Sequence, residues 1–323
     1  FSRFLIKDED EFAARFGFTL LPETTETLKR MVSMGELDTL SSERVTEELK
    51  KLFLYAEKPS QGFELLRELG IVERSYPELK TLIDTPQEPE WHPEGDVWIH
   101  TMLSLDKAAE LIRVHQPPFT EEERLQILVG TLCHDLGKPP TTHTVEKHGV
   151  KRIRSLGHQE AGDEPTQALC ARWSFSGSII HAARMIALNH LRPGELFIKA
   201  QKGELAEEAY ANAIRKLLKR IFPFNWKAFL ISAEADYRGR TLPEVQSGPY
   251  EHGDRFRELI VQYNLDEEAR TPLVLGGELI EKFKLRPGKQ IGELLKAVEN
   301  ERDEGKIKTK EEALAYIEEV LKH

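Results

Sequence analysis

Apolar residues recur three and four positions apart in segment after segment of this chain, while stretches that alternate apolar and polar residues are few. A period near 3.6 buries one face of a helix and a period of two buries one face of a strand, so the pattern calls for an all-α fold. Capping boxes, Thr120 with Glu123 and Thr309 with Glu312, fix two helix starts. Gly137, Pro139 and Pro140 are expected to stop the helix that Thr120 opens, near Leu136.

The helical segments group into three parts. Residues 1–88 read as short helices punctuated by Pro22, Gly35, Pro59 and Gly70, and the Pro/Glu-rich stretch from Pro86 to Gly95 reads as a linker. Residues 89–242 form a larger helical domain, and residues 243–323, opened by Pro243 and the Gly248-Pro249 pair, a helical tail. No apolar run is long enough to cross a bilayer. The two cysteines, Cys133 and Cys170, exclude a disulfide framework and point to a reducing cytoplasm. The first residue is Phe1, with no charged-then-apolar leader after it, so a trimmed or partial chain is expected.

A formal charge of −10 excludes a protein that coats nucleic acid non-specifically, because that binding is driven by displaced counterions at lysine and arginine clusters. One basic stretch stands out: Arg215, Lys216, Lys219, Arg220 and Lys227, interleaved with Phe222, Phe224 and Trp226. It is either a local RNA contact or, as the default, the solvated face of an amphipathic helix.

His134 and Asp135 are adjacent at the end of an apolar helix, immediately before Gly137-Lys138-Pro139. An imidazole and a carboxylate placed where their neighbours are buried are costly unless a metal or a partner compensates them. His100, on the helix opened by Asp96, and Asp236, inside another apolar helix, are the further ligand candidates for one divalent ion. His158 and His190 would complete a second position, with Asp135 bridging, in the manner of two-metal hydrolytic sites. His181 ranks below His190, and His92, His115, His143 and His148 read as non-ligands in loop-like segments. Cys133 reads as a small core residue, since thiolate ligands prefer paired spacings.

The chemistry that fits this set is hydrolysis at phosphorus. Asp135 would orient the attacking water, while Lys138, Arg192 and Arg240 would supply positive charge to a substrate phosphate. Imidazole and carboxylate together suit several ions, so one or two of magnesium, manganese, nickel, cobalt or iron are expected.

The order His100, His134-Asp135, Asp236, with Leu136-Gly137-Lys138-Pro139 after the pair, resembles the HD superfamily of metal phosphohydrolases. Phe12 to Phe18, Glu43-Arg44-Val45 and Pro59-Ser60 through Gly70 look like the helical neck and body of bacterial tRNA CCA-adding nucleotidyltransferases. Leu285-Arg286-Pro287-Gly288 through Gly292, and Gly305-Lys306-Ile307 to Ala313, are similar to that family's tail. The resemblance implies phosphatase, 2′-nucleotidase or 2′,3′-cyclic phosphodiesterase activity on nucleotide or RNA-end phosphoesters, and a tRNA-shaped partner. It also leaves open a binding role, with the HD centre vestigial or structural. The family's catalytic head would precede Phe1. Its nucleotide-selecting motif would fall where this chain has Lys7-Asp8-Glu9-Asp10-Glu11. CCA addition by this chain alone is therefore not expected.

Overall fold

The computed structural model describes residues 20–147, 149–270 and 272–322. Phe12 to Phe18, Lys7 to Glu11 and His148 lie outside the described residues. The protein is mostly α, 68% helical and 4% strand. In chain order the helices begin with α1 (Pro22–Ser33), α2 (Ser42–Tyr55), α3 (Ser60–Glu68), α4 (Ile71–Ser75) and α5 (Pro77–Lys80). After these come α6 (Val97–Val114), α7 (Glu121–Cys133) and α8 (Lys138–Thr141). A two-stranded antiparallel hairpin follows, β1 (Thr142–Lys147) with β2 (Val150–Ser155), pairing Thr142 with Ser155 and Lys147 with Val150. The hairpin was not expected from sequence. Most of its residues are exposed, so it lacks the two-faced contrast that announces a half-buried strand.

Beyond it lie α9 (His158–Ala161), α10 (Asp163–Arg172), α11 (Gly177–Asn189), α12 (Arg192–Gln201), α13 (Glu207–Ile221), α14 (Trp226–Gly239) and α15 (Pro243–Ser247). The chain ends with α16 (Glu251–Gln262), α17 (Leu265–Arg270), α18 (Gly276–Phe283), α19 (Lys289–Asp303) and α20 (Lys310–Val320). None of the described helices is long and apolar enough to cross a membrane.

By compactness the chain forms two units, one of residues up to Leu191 together with Pro223–Tyr250, the other of Arg192–Phe222 and Glu251 onward. These cuts differ from the three-part reading of 1–88, 89–242 and 243–323.

In the first unit α7 is the central helix. Every residue from Leu125 to Cys133 is buried, which a helix tolerates only when neighbours cover all its faces. Those neighbours are α2, α6, α11 and α14. Both capping boxes, at Thr120 and Thr309, are formed. Helix α7, however, ends at Cys133 rather than at Leu136. Pro139 falls in the first turn of α8, where a missing N–H costs nothing.

The helices before residue 83 join this core through aromatic rings: Phe63 and Trp173 meet at 6.3 Å, Tyr76 and Trp173 at 5.3 Å, and Phe53 and Phe175 at 6.4 Å. The start of α3 is held by Asp106 of α6, whose carboxylate accepts from the Ser60 N–H at 2.9 Å and hydroxyl at 2.7 Å.

Pro86 to Gly95 is not a linker. Gln87 is buried and donates to the Asp96 carbonyl at 3.1 Å, and the Glu88 carboxylate accepts from the Ile153 N–H at 2.8 Å and from Arg152 at 3.0 Å. Composition marks such a stretch as solvated, but its polar groups find fixed donors and acceptors.

The second unit buries Val274, Leu279, Leu294, Val298, Ala313 and Ile317 in one cluster. Its α13 carries the basic stretch. Arg215 there is buried against Asp303 at 3.1 Å, and Lys219 reaches Asp303 at 3.2 Å and also pairs with Glu299. The default reading, an amphipathic helix, holds for this part of the stretch, but Arg215 and Lys219 enter an internal ion-pair network and not a wholly solvated face.

Two glycines set the closeness on which the ligand-bearing elements depend. A Cβ at Gly239 would stand 2.1 Å from Ser104 Oγ and 3.1 Å from Ser104 Cα, so α14 and α6 could not cross as they do. A Cβ at Gly137 would stand 1.9 Å from the His158 carbonyl oxygen and 2.4 Å from the Gly162 nitrogen. Gly239→Ala should cost about 1–3 kcal/mol in urea unfolding, with much of it recovered by adding Ser104→Gly. Gly137→Ala meets rigid backbone. It should displace α9 and lower bound metal per chain, measured by elemental analysis, with no second-site rescue at a side chain.

Candidate metal centre

Four imidazoles and two carboxylates converge from five segments of the first unit. Helix α6 supplies His100 one turn after its N-cap, Asp96, whose carboxylate accepts the Ile99 N–H at 2.9 Å. His134 caps the end of α7 with Asp135 next in the chain, His158 opens α9, His190 caps the end of α11, and Asp236 lies in the last turn of α14. All but Asp236, whose side chain is 15% exposed, are buried.

Each imidazole is turned the same way. Nδ1 donates outward: His134 to the Thr131 carbonyl at 2.7 Å, His158 to that of Ser155 at 2.8 Å, His190 to that of Ala187 at 3.0 Å, and His100 to Glu94 Oε1 at 2.8 Å. Every Nε2 is left facing the centre. His100 Nε2 stands 2.9 Å and His134 Nε2 3.5 Å from Asp236 Oδ1. Asp135 lies between two groups: Oδ2 is 3.0 Å from His134 Nε2 and 3.8 Å from His100 Nε2, whereas Oδ1 is 3.6 Å from His158 Nε2 and 3.8 Å from His190 Nε2. Among the described residues three triads are close enough to hold an ion, and two of them come from these six side chains: His100, His134 and Asp236, and Asp135, His158 and His190; the third is His92, Glu94 and His100.

The donor set fits a divalent cation. Both Asp135 oxygens and His134 Nε2 are buried without a hydrogen bond of acceptable geometry among the described residues, despite their short separations. His158 and His190 point their Nε2 atoms at each other across 3.3 Å, where two lone pairs repel unless a proton or cation lies between them. Neutral imidazoles and carboxylates together suit borderline and hard divalent ions.

The electrostatics say the same. Burial alone would push the His134 imidazole down, but the Asp135 and Asp236 carboxylates outweigh it and hold it at about 10. Burial would likewise raise both carboxyls, yet His134 and Lys138 hold Asp135, and His100 and His134 hold Asp236, well below the usual carboxylate range. His190 is pulled down to about 3 by burial, with the neighbouring imidazoles adding to the effect. Positive charge is what this pocket favours, and a bound ion would take the place of the His134 proton.

Of the other sequence candidates, Lys138 sits at the centre, its Nζ 2.7 Å from Asp135 Oδ2 and 2.7 Å from Gln87 Oε1. Arg240 lays its guanidinium over Tyr237, 4.6 Å from the ring centroid. Arg192 belongs to the second unit and pairs with Glu195 at 3.0 Å. Cys133 is a fully buried core residue. His115 stacks on Phe119 at 4.1 Å, and His143 is exposed, its Nδ1 donating to the Thr141 carbonyl.

His92 was dismissed in sequence and Glu94 was not singled out. The structure sets the His92 ring 4.7 Å from that of His100, with Glu94 Oε1 accepting from both. Burial pulls His92 down to about 4 although Glu94 works against it. The one available signal was their place directly ahead of the His100 helix, in a stretch whose composition suggested solvent.

Residues 97–223 match the HD domain family, and residues 17–83 match the family described as the probable RNA and SrmB-binding site of polymerase A. The chain is 33% identical over 247 residues to the multifunctional CCA protein of Nitrosospira multiformis, covering 76% of this chain and 54% of that protein. Against its namesake from Thioalkalivibrio sulfidiphilus it is 32% identical over 299 residues, 88% of this chain and 62% of the relative. For that of Pasteurella multocida the identity is 33% over 237 residues, 71% of this chain and 51% of the relative. The chain thus spans between half and two thirds of the length of these relatives. It carries an HD-domain match preceded by a match to the probable RNA and SrmB-binding site of polymerase A, and over most of its length it resembles the multifunctional CCA proteins.

Proposed function

We propose that this protein is a metal-dependent phosphohydrolase acting on nucleotide or RNA-end phosphoesters, such as 2′,3′-cyclic phosphates or phosphomonoesters. The observation that carries the reading is the position of Asp135, one oxygen toward each of two ligand triads. His100, His134 and Asp236 would hold one divalent ion, His158 and His190 a second, with Asp135 shared. Ions bound there would lower the pKa of water and neutralise phosphoryl oxygens.

The protein's own groups do the rest. The outward Nδ1 hydrogen bonds fix each ring so that no reorientation is needed when substrate arrives. Asp135 would accept a hydrogen bond from the attacking water and aim it, and Lys138, held between Asp135 and Gln87, is placed to donate to a phosphoryl oxygen as negative charge grows there. Low solvent access at these side chains strengthens both effects.

A second reading has specific support, from the match at residues 17–83 and from the name of the relatives. In it the helices ahead of the HD domain bind tRNA, and the His/Asp cluster serves structure alone.

Dialysis against a chelator should lower the melting temperature by several degrees, since an ion present at ~100 times its Kd contributes ~2.7 kcal/mol. Readdition of manganese, nickel, cobalt or magnesium should restore it. Asp135→Ala should abolish hydrolysis of 2′,3′-cyclic AMP and of p-nitrophenyl phosphoesters while tRNA binding, followed by gel shift, stays unchanged. Tight tRNA binding by wild type with no hydrolysis under any of these ions would select the second reading.

A further inference from the structure

We infer that Glu94 is a positioning residue: it holds His100 in the tautomer that presents Nε2 to an ion and ties together the two helices that carry His100 and Asp236. The inference rests on the metal-centre reading above.

The four imidazoles differ in how their outer nitrogens are held. His134 and His190 cap helix ends and donate to carbonyls three residues back, groups that a helix terminus leaves without an intrahelical partner. His158, opening α9, donates to the Ser155 carbonyl just ahead of it. His100 has no such carbonyl. It lies in the first turn of α6, where the Asp96 carbonyl already accepts the His100 N–H and the Val97 carbonyl accepts the Thr101 hydroxyl. A side chain must replace the backbone acceptor, and Glu94 does so at 2.8 Å with 1% of its side chain exposed.

The same carboxylate does two more things. Oε1 also accepts from His92 Nδ1 at 2.8 Å, which packs the His92 ring edge-on against His100. Oε2 accepts the backbone N–H of Thr241 at 3.3 Å, two residues past the end of α14. One side chain therefore fixes both His100 and the exit of the helix that carries Asp236. Glu94 itself satisfies His92 and His100, so these three form a hydrogen-bonded support and not a third ion site. A carboxylate partner also makes the ring a stronger donor than a neutral carbonyl does.

The test uses the full chain. In wild type made metal-free by chelation, the imidazole carbon and nitrogen shifts of His100 should report a proton on Nδ1, with or without a second one on Nε2 shared with Asp236 Oδ1, 2.9 Å away. A proton on Nε2 alone would overturn the inference whatever the metal affinity. Glu94→Gln keeps shape and removes the charge. It should weaken manganese or cobalt binding, measured by titration calorimetry, by about 10- to 100-fold and mix the His100 tautomers. Glu94→Asp should recover part of that loss. Wild-type affinity and an unchanged tautomer in Glu94→Gln would refute the role. If wild type itself binds no metal, the metal-centre reading fails, and the tautomer of His100 still decides the part of the inference that concerns Glu94.

Discussion

Two carboxylates set among four imidazoles, Asp135 buried and Asp236 nearly so, constrain everything else in the first unit. Removing a charged oxygen from water costs several kcal/mol unless hydrogen bonds or opposite charge replace the lost solvent. At Asp135 no hydrogen bond of good geometry does so; the compensation is electrostatic, from His134 and Lys138 and from whatever cation the pocket holds. A core that buried these groups for stability alone would be better served by apolar residues of the same volume. Their presence around α7, which is buried at every residue from Leu125 to Cys133, costs the scaffold stability that apolar residues would have given.

The helical scaffold suits this arrangement for a reason rooted in helix ends. A helix leaves its last carbonyls unpaired, and such groups need donors when they are buried. By placing His134 and His190 at C-terminal caps, the fold satisfies those carbonyls and orients two rings through their Nδ1 hydrogen bonds, one from His134 and a forked one from His190. Binding geometry and helix termination are here the same interaction. Close helix crossings then bring the ends together, and the missing side chains at Gly137 and Gly239 permit that closeness.

Much of this was legible in sequence. The helical period and both capping boxes gave the fold class, because caps and amphipathic faces are local properties. The residues named as ligand candidates are the ones the fold gathers, since His134-Asp135 at an apolar helix end is a local anomaly and the other members share its chemistry. What escaped notice depends on tertiary partners. Pro86 to Gly95 has the composition of a linker, yet Gln87, Glu88 and Glu94 are fixed by Lys138, Ile153 and His100, residues distant in the chain or across a helix cap. The basic stretch of α13 reads by default as an amphipathic helix, but its ion pairs were not legible, because the acids that pair with Arg215 and Lys219 lie about eighty residues further on, in α19. The β1–β2 hairpin, polar on both faces, carried no periodic contrast to read.

The first compact unit is discontinuous: the chain leaves it after Leu191 and re-enters at Pro223. Asp135, His158 and His190 all precede the departure, and Asp236 follows the return. On the ribosome the two ligand sets are therefore completed at different times. A nascent chain that has just released His190 owns one triad in full, while His100 and His134 await a carboxylate forty-six residues downstream of that histidine. Synthesis of this centre has an order written into it by connectivity, and an ion captured early would be held by one half of the site before the other half is made.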